Sequence, residues 1–543
     1  MGKHPHSIIF NPDQMRADSM GHLGNPAAKT PFLDRFAETE AVSFRNAFCQ
    51  NPLCVPSRCS FFTGLYPHVN GHRTISYLLR PGETTMLKEL KEAGYYVWMN
   101  DRNDLLAGQI PGWAESHVSE IYCCGQKEIG PGPVRDIRGT PNNKFYYSHM
   151  EGQLGTDSTG KRYSPDDEAV DAAIARIQNR PADQPLCLFL GLMYPHPPYQ
   201  IEEPYYSSID RNLLPRRTRP EECSGKSRMI REIRENSRLE GLSESDWDEI
   251  RGVYLAMVSK VDGQFRRLVE VLKQEGIYDN CAIFFLSDHG DFTGDYGIPE
   301  KAQNCFEDCL TRVPLLIKPP AGYGLDPGIS DSLTELVDFY ATAMDIAGVQ
   351  PTHSHFGNSL VPVLADRTRE NRKYVCCEGG RLPNETHCDE YHLGGGKTAS
   401  AASAYWPKMK AQSDGEAHSK ATMLRTNRYK YIYRTLGESE FYDLETDPRE
   451  TQNRIHDPTF AGIVSDMEKQ MLHWLVTTAD VVPFEHDARF TPDMMFARAR
   501  CIAPKGYDAL IQKKIDEGME FIDLVNFCRG LSAGADAGGR QQR

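Results

Sequence analysis

The chain has 543 residues, of which 40% are hydrophobic and 25% charged, as in ordinary globular proteins with one large domain or several smaller ones. Its 61 basic and 75 acidic residues give a net charge of −14, which should repel nucleic acid and anionic membranes. No run is apolar enough for a membrane span or a signal core, so we expect a cytoplasmic protein. The 15 cysteines have no regular spacing and are expected to be mostly buried thiols.

Short apolar runs alternate with helical patterns over roughly the first two thirds of the chain. This alternation predicts an α/β fold with a large, mostly parallel sheet sandwiched by helices. The predicted strands are 7–10, 95–99, 186–193, 281–287 and 315–317, and the predicted helices are 84–93, 166–178, 246–274 and 333–346. In the helix 246–274, apolar residues recur at helical spacing, and Ser243 or Ser245 can cap its start.

The pattern changes after residue 375. Strands at 422–426, 429–434 and 440–444, with a turn at Gly437, predict a small antiparallel sheet, and an amphipathic helix is predicted over 460–477. An apolar pattern between 485 and 527 predicts a helical tail that packs on its own subunit or joins two subunits, with a disordered end from Gly530. We therefore expect an α/β catalytic domain (1–375), an α+β subdomain (376–484) and a C-terminal extension (485–543).

Polar side chains follow four of the predicted strands. They are Asp13 and Gln14 after the first strand, Arg102 and Asp104 after the second, His196 after the third, and Asp288 and His289 after the fourth. An aspartate after a strand is more often a helix cap or a turn former than a ligand. However, the carboxyl ends of parallel strands meet at one edge of a sheet. Their joint position at that edge favours a metal site.

The most specific pattern is Cys54-Val55-Pro56-Ser57-Arg58, followed by Thr63-Gly64. Pro56 suits a first helical turn and Gly64 a helix end, so Cys54 should lie at the amino end of a short helix. There the free backbone N–H groups and the helix dipole favour an anion. The alternative is a buried cysteine beside an ordinary cap. A chance Cys-x-Pro-Ser-Arg is expected only on the order of a few times in a thousand such chains.

With this pattern the sequence resembles the type I, formylglycine-dependent sulfatases of the alkaline phosphatase superfamily. Their signature is Cys-x-Pro-Ser-Arg with a downstream Thr-Gly, and a formylglycine-generating enzyme oxidises the cysteine. Further segments that resemble the family are 13–18, 30–34, 44–47, 287–295 with Lys301, 312–314, 425–431 and 442–450. The resemblance covers roughly residues 7 to 480. It implies an enzyme that hydrolyses sulfate esters after maturation of Cys54 to formylglycine.

The resemblance also implies one divalent metal ion. Asp13, Asp288, His289 and the modified Cys54 would hold it, with Gln14 where many relatives have a second aspartate. Calcium is the expected ion, and manganese, zinc and magnesium are the alternatives. Many sulfatases have asparagine in place of His289, and an imidazole ligand moves the preference from calcium towards manganese or zinc.

The catalytic roles follow from the same resemblance. Arg58 would fix the hydrated aldehyde, whose first hydroxyl is the nucleophile and whose second expels sulfate. Lys301 and His196 would bind sulfate oxygens, and one of them would protonate the leaving alkoxide. The alternatives are a solvated surface lysine and a loop histidine held by prolines. Relatives usually carry lysine and histidine where this chain has Arg102 and Asp104. Arg102 can clamp sulfate. Three alternatives are open for Asp104, namely an elimination base, a substrate contact and a helix cap.

Three functions remain open at this point. The first is a sulfatase that acts on a small sulfated sugar or glycan fragment, since the polar segments 379–397 and 408–420 suit a hydroxylated substrate. The second is a phosphonate monoester or phosphodiester hydrolase of the same superfamily. The third is a non-catalytic binding protein with this fold. The complete set of metal and cysteine motifs argues against the third.

Overall fold

The computed structural model describes residues 4–393, 400–482, 484 and 489–539. The chain divides into two compact units, Met1–Val481 and Val482–Arg543. The described strands are β1 (His6–Asp13), β2 (Val42–Phe48), β3 (Tyr96–Asn100), β4 (Glu120–Tyr122), β5 (Met150–Gln153), β6 (Leu186–Pro195), β7 (Tyr199–Ile201), β8 (Cys281–Leu286), β9 (Arg312–Val313), β10 (Leu315–Lys318), β11 (Gly328–Glu335), β12 (Val375–Gly379), β13 (Ala421–Arg425), β14 (Tyr429–Arg434) and β15 (Glu440–Asp443).

Helices are distributed over both units. They are α1 (Pro31–Thr39), α2 (Cys54–Thr63), α3 (Pro67–Asn70), α4 (Met86–Glu92), α5 (Trp113–His117), α6 (Pro165–Gln178), α7 (Tyr205–Ser208), α8 (Arg228–Ser237), α9 (Glu244–Gln274), α10 (Asp308–Thr311), α11 (Val337–Ala347), α12 (Val361–Ala365), α13 (Glu390–Leu393), α14 (Trp406–Gln412), α15 (Ala461–Thr478), α16 (Pro492–Arg500), α17 (Asp508–Asp516) and α18 (Phe521–Gly539). Ser243 caps α9 through a capping box with Asp246, whereas Ser245 lies inside the first turn.

The large sheet has the strand order β11-β2-β10-β8-β1-β6-β3-β4, with β9 paired to β2. The strands β8, β1, β6, β3 and β4 are parallel, and β10 runs antiparallel between β2 and β8. The predicted fold class, a mostly parallel α/β sheet with a smaller antiparallel sheet and a helical tail, is confirmed. The four strands whose ends carry the candidate residues are neighbours, so those ends meet at one edge of the sheet.

Two apolar cores cover the two faces of this sheet. Successive residues of β1 alternate between them, with Ile9 on one face and Ile8 and Phe10 on the other. Helices α2, α4 and α11 pack on the face of Ile9, and helices α1, α6 and α9 pack on the opposite face. The sheet is therefore buried on both sides, as its continuous apolar strands predict.

The predicted helix 333–346 is wrong at its start. Residues 333–335 end strand β11, which pairs in parallel with β2, and the helix begins at Val337. Strand β2 was not predicted, because Ser43, Arg45 and Asn46 interrupt its apolar residues. Pairing with β10 and β11 supplies the hydrogen bonds that the local pattern does not indicate.

The small antiparallel sheet has the order β12-β13-β14-β15. Gly437 lies in the turn between the last two strands with φ of 81°, in the left-handed region that favours glycine. Helix α15 packs Met467, Met471 and Trp474 on this sheet. These two sheets and the two-stranded sheet of β5 and β7 all lie in the first unit. The division of residues 1–484 into two subdomains at residue 375 therefore stays a prediction.

The second unit contains α16, α17 and α18. Ala499, Ile511, Ile515, Leu524 and Cys528 form its buried core, so the apolar pattern of the tail is used partly within the unit itself. Helix α18 continues to Gly539, and the expected disorder of the chain end stays a prediction. Residues 485–488 and 540–543 lie outside the described part. A role of this unit in joining subunits stays a prediction.

The structure also bears on two expectations from composition. The 15 cysteines are free thiols, and most of them are buried, as expected. Within the described ranges, no helix has both the length and the apolar character that a bilayer span requires.

Candidate active site

Asp13, Cys54, Asp288 and His289 form a fully buried cluster at the carboxyl edge of the large sheet. One ligand atom from each residue lies within 4.8 Å of all the others. Nε2 of His289 is 3.1 Å from Sγ of Cys54 and 3.7 Å from Oδ1 of Asp13. Carboxylate oxygens, an imidazole nitrogen and the group at residue 54 make a donor set suited to a divalent cation.

His289 is oriented for ligation by its own backbone neighbourhood. Its Nδ1 lies 3.0 Å from the carbonyl oxygen of Gly290, which can only accept, so Nδ1 carries the hydrogen. Burial lowers the pKa of His289, which keeps the ring neutral. The lone pair of Nε2 therefore faces the cluster, and the residues fit a metal ion.

Arg58 holds the two carboxylates of the cluster together. Its Nη2 donates to Oδ2 of Asp13 at 2.8 Å, and its Nε donates to Oδ2 of Asp288 at 2.9 Å. Burial opposes the charge, but the surrounding aspartates, Asp288 first among them, raise the pKa of Arg58. This fixed positive charge offsets the repulsion between the two buried carboxylates. The second oxygen of Asp13 lies 3.7 Å from Sγ of Cys54, whereas the second oxygen of Asp288 accepts from the backbone N–H groups of Gln14 and His289.

The local structure around Cys54 follows from the sequence. Helix α2 begins at Cys54 and ends before Gly64, which has φ of 71°, as the motif predicts. Ser57, one turn in, donates its hydroxyl hydrogen to the carbonyl oxygen of Asp288 at 2.6 Å and so ties the helix to the metal-ligand segment. Burial and the charge of Asp13 raise the pKa of the Cys54 thiol well above its ordinary value. The unmodified thiol is therefore a poor source of thiolate.

Arg102 approaches the cluster from the end of β3. Its Nη2 donates to Oδ2 of Asp13 at 2.7 Å, and its Nε donates to the carbonyl oxygen of Leu192 at 3.2 Å. The side chain remains 23% exposed, so its guanidinium can also reach a ligand in the adjoining pocket. This position suits a clamp on an oxyanion.

Asp104 stands at the same rim with φ of 47° and a side chain that is 36% exposed. Its Oδ2 is 3.7 Å from Nη1 of Arg58. In the described part of the chain no helix begins near Leu105, so the helix-cap alternative for Asp104 is wrong. The carboxylate is left available to a bound molecule.

Lys301 and His196 meet beside Gln14. Nζ of Lys301 lies 2.8 Å from Nε2 of His196 and 2.7 Å from Oε1 of Gln14. Lys301 is buried, so the surface-lysine alternative is wrong. Gln14 also donates from Nε2 to Oδ2 of Asp291 at 2.6 Å, so both ends of its carboxamide are engaged.

Two buried carboxylates that the sequence analysis did not select support this group. Asp291 accepts hydrogen bonds from Gln14 and from the hydroxyl of Tyr199, and burial raises its pKa to about 6. Glu300 pairs with Lys301 at 3.0 Å. Burial opposes its charge, but Lys301 and the lysine at 408 lower the pKa of Glu300 to about 2. Asp291 lies within the predicted segment 287–295 and Glu300 directly precedes Lys301, so their positions in the sequence could have indicated a role at the site.

An open pocket of about 820 Å³ leads from the protein surface to these residues. Its lining comprises Cys54, Val55, Ile75, Ser76, Arg102, Asp104, His196, Lys301, Glu390, Leu393, Ser403, Tyr405, Lys408 and Met409. Every residue predicted to bind sulfate or to act on it, except the buried Arg58, thus faces one cavity.

The pocket also tests the two polar segments that were expected to line it. Glu390 and Leu393 come from the segment 379–397, whose residues 394–397 lie outside the described part. Lys408 comes from the segment 408–420, but its residues up to Gln412 belong to helix α14 rather than to a loop. Tyr405 lies just outside both segments, and no pattern indicated it.

Comparison with known proteins agrees with this geometry. Residues 5–349 match the family model described as Sulfatase. Arylsulfatase K of Danio rerio is 26% identical over 394 residues, covering 66% of this chain and 68% of that protein. The phosphonate monoester hydrolase of Agrobacterium radiobacter has a TM-score of 0.67 at 20% identity, covering 87% of this chain and 96% of that one. The protein BT4656, solved with its substrate D-glucosamine-2-N,6-O-disulfate, has a TM-score of 0.66 at 20% identity, covering 88% and 98%.

The matched family model spans more than half of the chain. The chain therefore belongs to the sulfatase family, within the alkaline phosphatase superfamily, and is a sulfuric ester hydrolase. Its expected resemblance to formylglycine-dependent sulfatases is confirmed at the level of the family.

Proposed function

We propose that this protein hydrolyses the sulfate ester of a sugar or glycan fragment, using a formylglycine made from Cys54 and one divalent metal ion. The observation that carries the proposal is the position of Cys54. The cysteine of the Cys-x-Pro-Ser-Arg motif lies within a buried cluster of Asp13, Asp288 and His289, at the inner end of an open pocket. A formylglycine at this position would supply the nucleophilic hydroxyl.

Asp13, Asp288, His289 and residue 54 would hold the metal. A bound divalent cation would stabilise negative charge on the sulfate oxygens and lower the pKa of the nucleophilic hydroxyl. We expect calcium, with manganese, zinc and magnesium as the alternatives that metal analysis distinguishes. For Gln14 we propose that the carboxamide orients Lys301 and Asp291, while the second lone pair of its Oε1 stays available to the metal.

Each of the remaining side chains of the site has a separate role towards the substrate. Arg102 orients the sulfate group through its guanidinium fork, and Arg58 keeps the carboxylates and residue 54 in place. The ammonium of Lys301 contacts Gln14, His196 and Glu300, and it would turn one of its hydrogens to a sulfate oxygen when the substrate binds and then donate a proton to the leaving alkoxide. His196 holds Lys301 in position, and Asp104 accepts a proton in the step that releases sulfate.

The substrate class follows from the shape and lining of the pocket. It admits more than a sulfate group, and it mixes apolar walls with hydroxyl, amine and carboxylate groups. Such a lining suits a hydroxylated organic moiety. The solved structure of BT4656 with a sulfated glucosamine supports the same class for a protein of this fold.

A second candidate is a phosphonate monoester or phosphodiester hydrolase. His289 in the metal cluster and the similarity in fold to the phosphonate monoester hydrolase of Agrobacterium radiobacter favour it. The two candidates share a nucleophile and a metal site, so only the substrate separates them. The complete cluster continues to argue against the non-catalytic alternative.

The test is one side-by-side assay. Protein co-expressed with a formylglycine-generating enzyme is given an aryl sulfate, an aryl phosphodiester, an aryl phosphonate monoester and a panel of sulfated sugars. We expect kcat/KM for the best sulfate ester to exceed that for either phosphorus ester by more than tenfold. The reverse order would establish the second candidate instead, and no turnover of any ester would favour the non-catalytic one.

A further inference from the structure

The outer wall of the pocket carries a charged group that the catalytic roles do not use. Nζ of Lys408 lies 3.1 Å from Oε2 of Glu300 and 3.9 Å from Oε2 of Glu390. Glu300 in turn pairs with Lys301 at 3.0 Å. Charges therefore alternate in the order Lys301, Glu300, Lys408 and Glu390. The two lysines and Glu390 line the pocket, and Glu300 is buried between the lysines without lining it.

One carboxylate oxygen of Glu390 has no hydrogen-bond donor among the described residues. Among the residues that the structure describes, none makes a hydrogen bond to Oε1 of Glu390, although the side chain is only 8% exposed. A carboxylate oxygen that is withdrawn from water and has no donor carries an uncompensated desolvation cost. Oε1 is itself withdrawn from the pocket surface, so a hydroxyl or an amine on a bound molecule would supply the missing donor once the Glu390 carboxylate turns towards the pocket.

The charge of the outer wall decides between these ligands. Lys408 is already balanced by Glu300 and Glu390, so no unpaired positive charge is left for a second anionic group. An ammonium group that approaches Glu390 would meet the ammonium of Lys408. A neutral hydroxyl avoids both conflicts, because it can accept from Lys408 and donate to Glu390. The wall therefore selects against a second charge of either sign.

The surfaces beside Glu390 are mostly apolar. The ring of Tyr405 and the side chains of Leu393 and Met409 line the same pocket. Nζ of Lys408 already lies over the Tyr405 ring, 4.7 Å from its centre. The C–H groups of a sugar ring can pack on the remaining surface of Tyr405 and on the aliphatic side chains, while the sugar hydroxyls turn to Lys408 and Glu390. A donor and an acceptor side by side match two adjacent hydroxyls of such a ring.

We propose that Glu390, Tyr405 and Lys408 form a leaving-group subsite for a neutral sugar that presents two adjacent hydroxyls. The subsite rests on the proposed sulfatase function and narrows it. The preferred substrate carries a single sulfate and no other charged group. Sugars with a second sulfate or a carboxylate, and sulfate esters of quaternary amino alcohols, are poorer substrates.

The test compares matched esters on the matured, full-length protein. The probes are an aryl sulfate, a monosulfated neutral sugar, the same sugar with a second sulfate, and a sulfate ester with a quaternary ammonium group. We expect kcat/KM to be highest for the monosulfated neutral sugar. Glu390→Gln should lower kcat/KM for that sugar at least tenfold more than for the aryl sulfate, chiefly through KM.

Lys408→Met provides a second variant, with Lys410→Met as its matched control. Both lysines lie in α14, but Lys410 does not line the pocket. Calorimetry with the desulfated neutral sugar should show weaker binding to Lys408→Met and unchanged binding to Lys410→Met. Melting curves verify that each variant is folded, and the calorimetric comparison stands even if Glu390→Gln does not fold.

Two results would overturn the subsite. One is a kcat/KM for the disulfated or the quaternary ammonium ester that exceeds the value for the monosulfated neutral sugar. The other is an equal loss of kcat/KM for all esters in Glu390→Gln. A protein that turns over no sulfate ester would contradict the proposed sulfatase function itself. The two failures are therefore distinguishable.

Discussion

Nζ of Lys301 lies 2.8 Å from Nε2 of His196, and Nδ1 of His196 lies 2.6 Å from the carbonyl oxygen of Pro197. A carbonyl oxygen only accepts, so Nδ1 carries the ring hydrogen, and Nε2 is left to accept from the ammonium of Lys301. Burial and the neighbouring charge of Lys301 lower the pKa of His196 well below its ordinary value. Lys301, rather than His196, is thus the group with a proton to give.

This relationship predicts different effects of the two substitutions on leaving-group dependence. Lys301→Ala should lower kcat/KM by roughly a hundredfold or more for sulfate esters of poor leaving groups, and much less for a good one, because only poor leaving groups need protonation. His196→Gln should lower kcat/KM by about the same factor for every ester, and by less than Lys301→Ala does for poor leaving groups, since it only repositions Lys301. For each variant, kcat/KM is measured for a series of aryl sulfates and plotted against the pKa of the phenol that leaves, which gives one slope per variant. A steeper slope for His196→Gln would assign the acid to His196.

We expect Arg102 to stabilise the transition state by more than its positive charge alone would. Its guanidinium reaches Asp13 and the pocket together, and a bidentate contact to sulfate is stronger than a single ammonium contact. Arg102→Met should lower kcat/KM more than tenfold, at least about 1.4 kcal/mol of transition-state stabilisation, and Arg102→Lys should recover only part of it. Metal content is measured in parallel because Asp13 is shared. An effect on metal content without one on kcat/KM would remove Arg102 from the sulfate clamp.

Asp104 is predicted to be the base of the sulfate-release step. Asp104→Asn, which keeps the size of the side chain, should give a rapid burst of alcohol followed by stalled turnover, because release is then slower than attack. Rapid-quench kinetics on an aryl sulfate detects the burst. Asp101→Asn, at the same rim, is the control. A raised KM for a sulfated sugar with normal turnover of the aryl sulfate would make Asp104 a substrate contact instead.

Metal binding should depend on the buried cluster. Asp288→Asn should lose the bound metal and the activity while remaining folded, and chelation of the wild-type protein should have the same effect. Asp331→Asn, an exposed aspartate, is the matched control. Elemental analysis gives the identity and stoichiometry of the metal, and the melting temperature should rise when the metal is restored. Full turnover by the metal-free protein would rule out the proposed role of the cluster.

The residues at the strand ends could be predicted because parallel strands align their carboxyl ends. Asp13 and His289 are far apart in sequence, yet β1 and β8 are neighbours and place them 3.7 Å apart. The Cys54 motif was predictable because helix-start and helix-end signals flank it. Alternating apolar runs likewise sufficed for β1, β6 and β8.

The outer wall of the pocket could not be predicted in the same way. Glu300 and Lys408 are distant in sequence and meet only through the packing of the chain, so no periodicity links them. Tyr405 lies before a short helix without a pattern of its own. Strand β2 was missed for a related reason, since pairing rather than local apolar character stabilises it.

The central claim is that Cys54 becomes the formylglycine nucleophile, and peptide mass spectrometry tests it most directly. The protein is co-expressed with a formylglycine-generating enzyme, and the peptide that contains Cys54 is analysed together with sulfatase activity. We predict the aldehyde at Cys54, activity in proportion to its fraction, and no activity in Cys54→Ala. Cys59→Ala, in the same helix, should still be converted and active. A peptide without aldehyde, together with full activity in Cys54→Ala, would contradict the account.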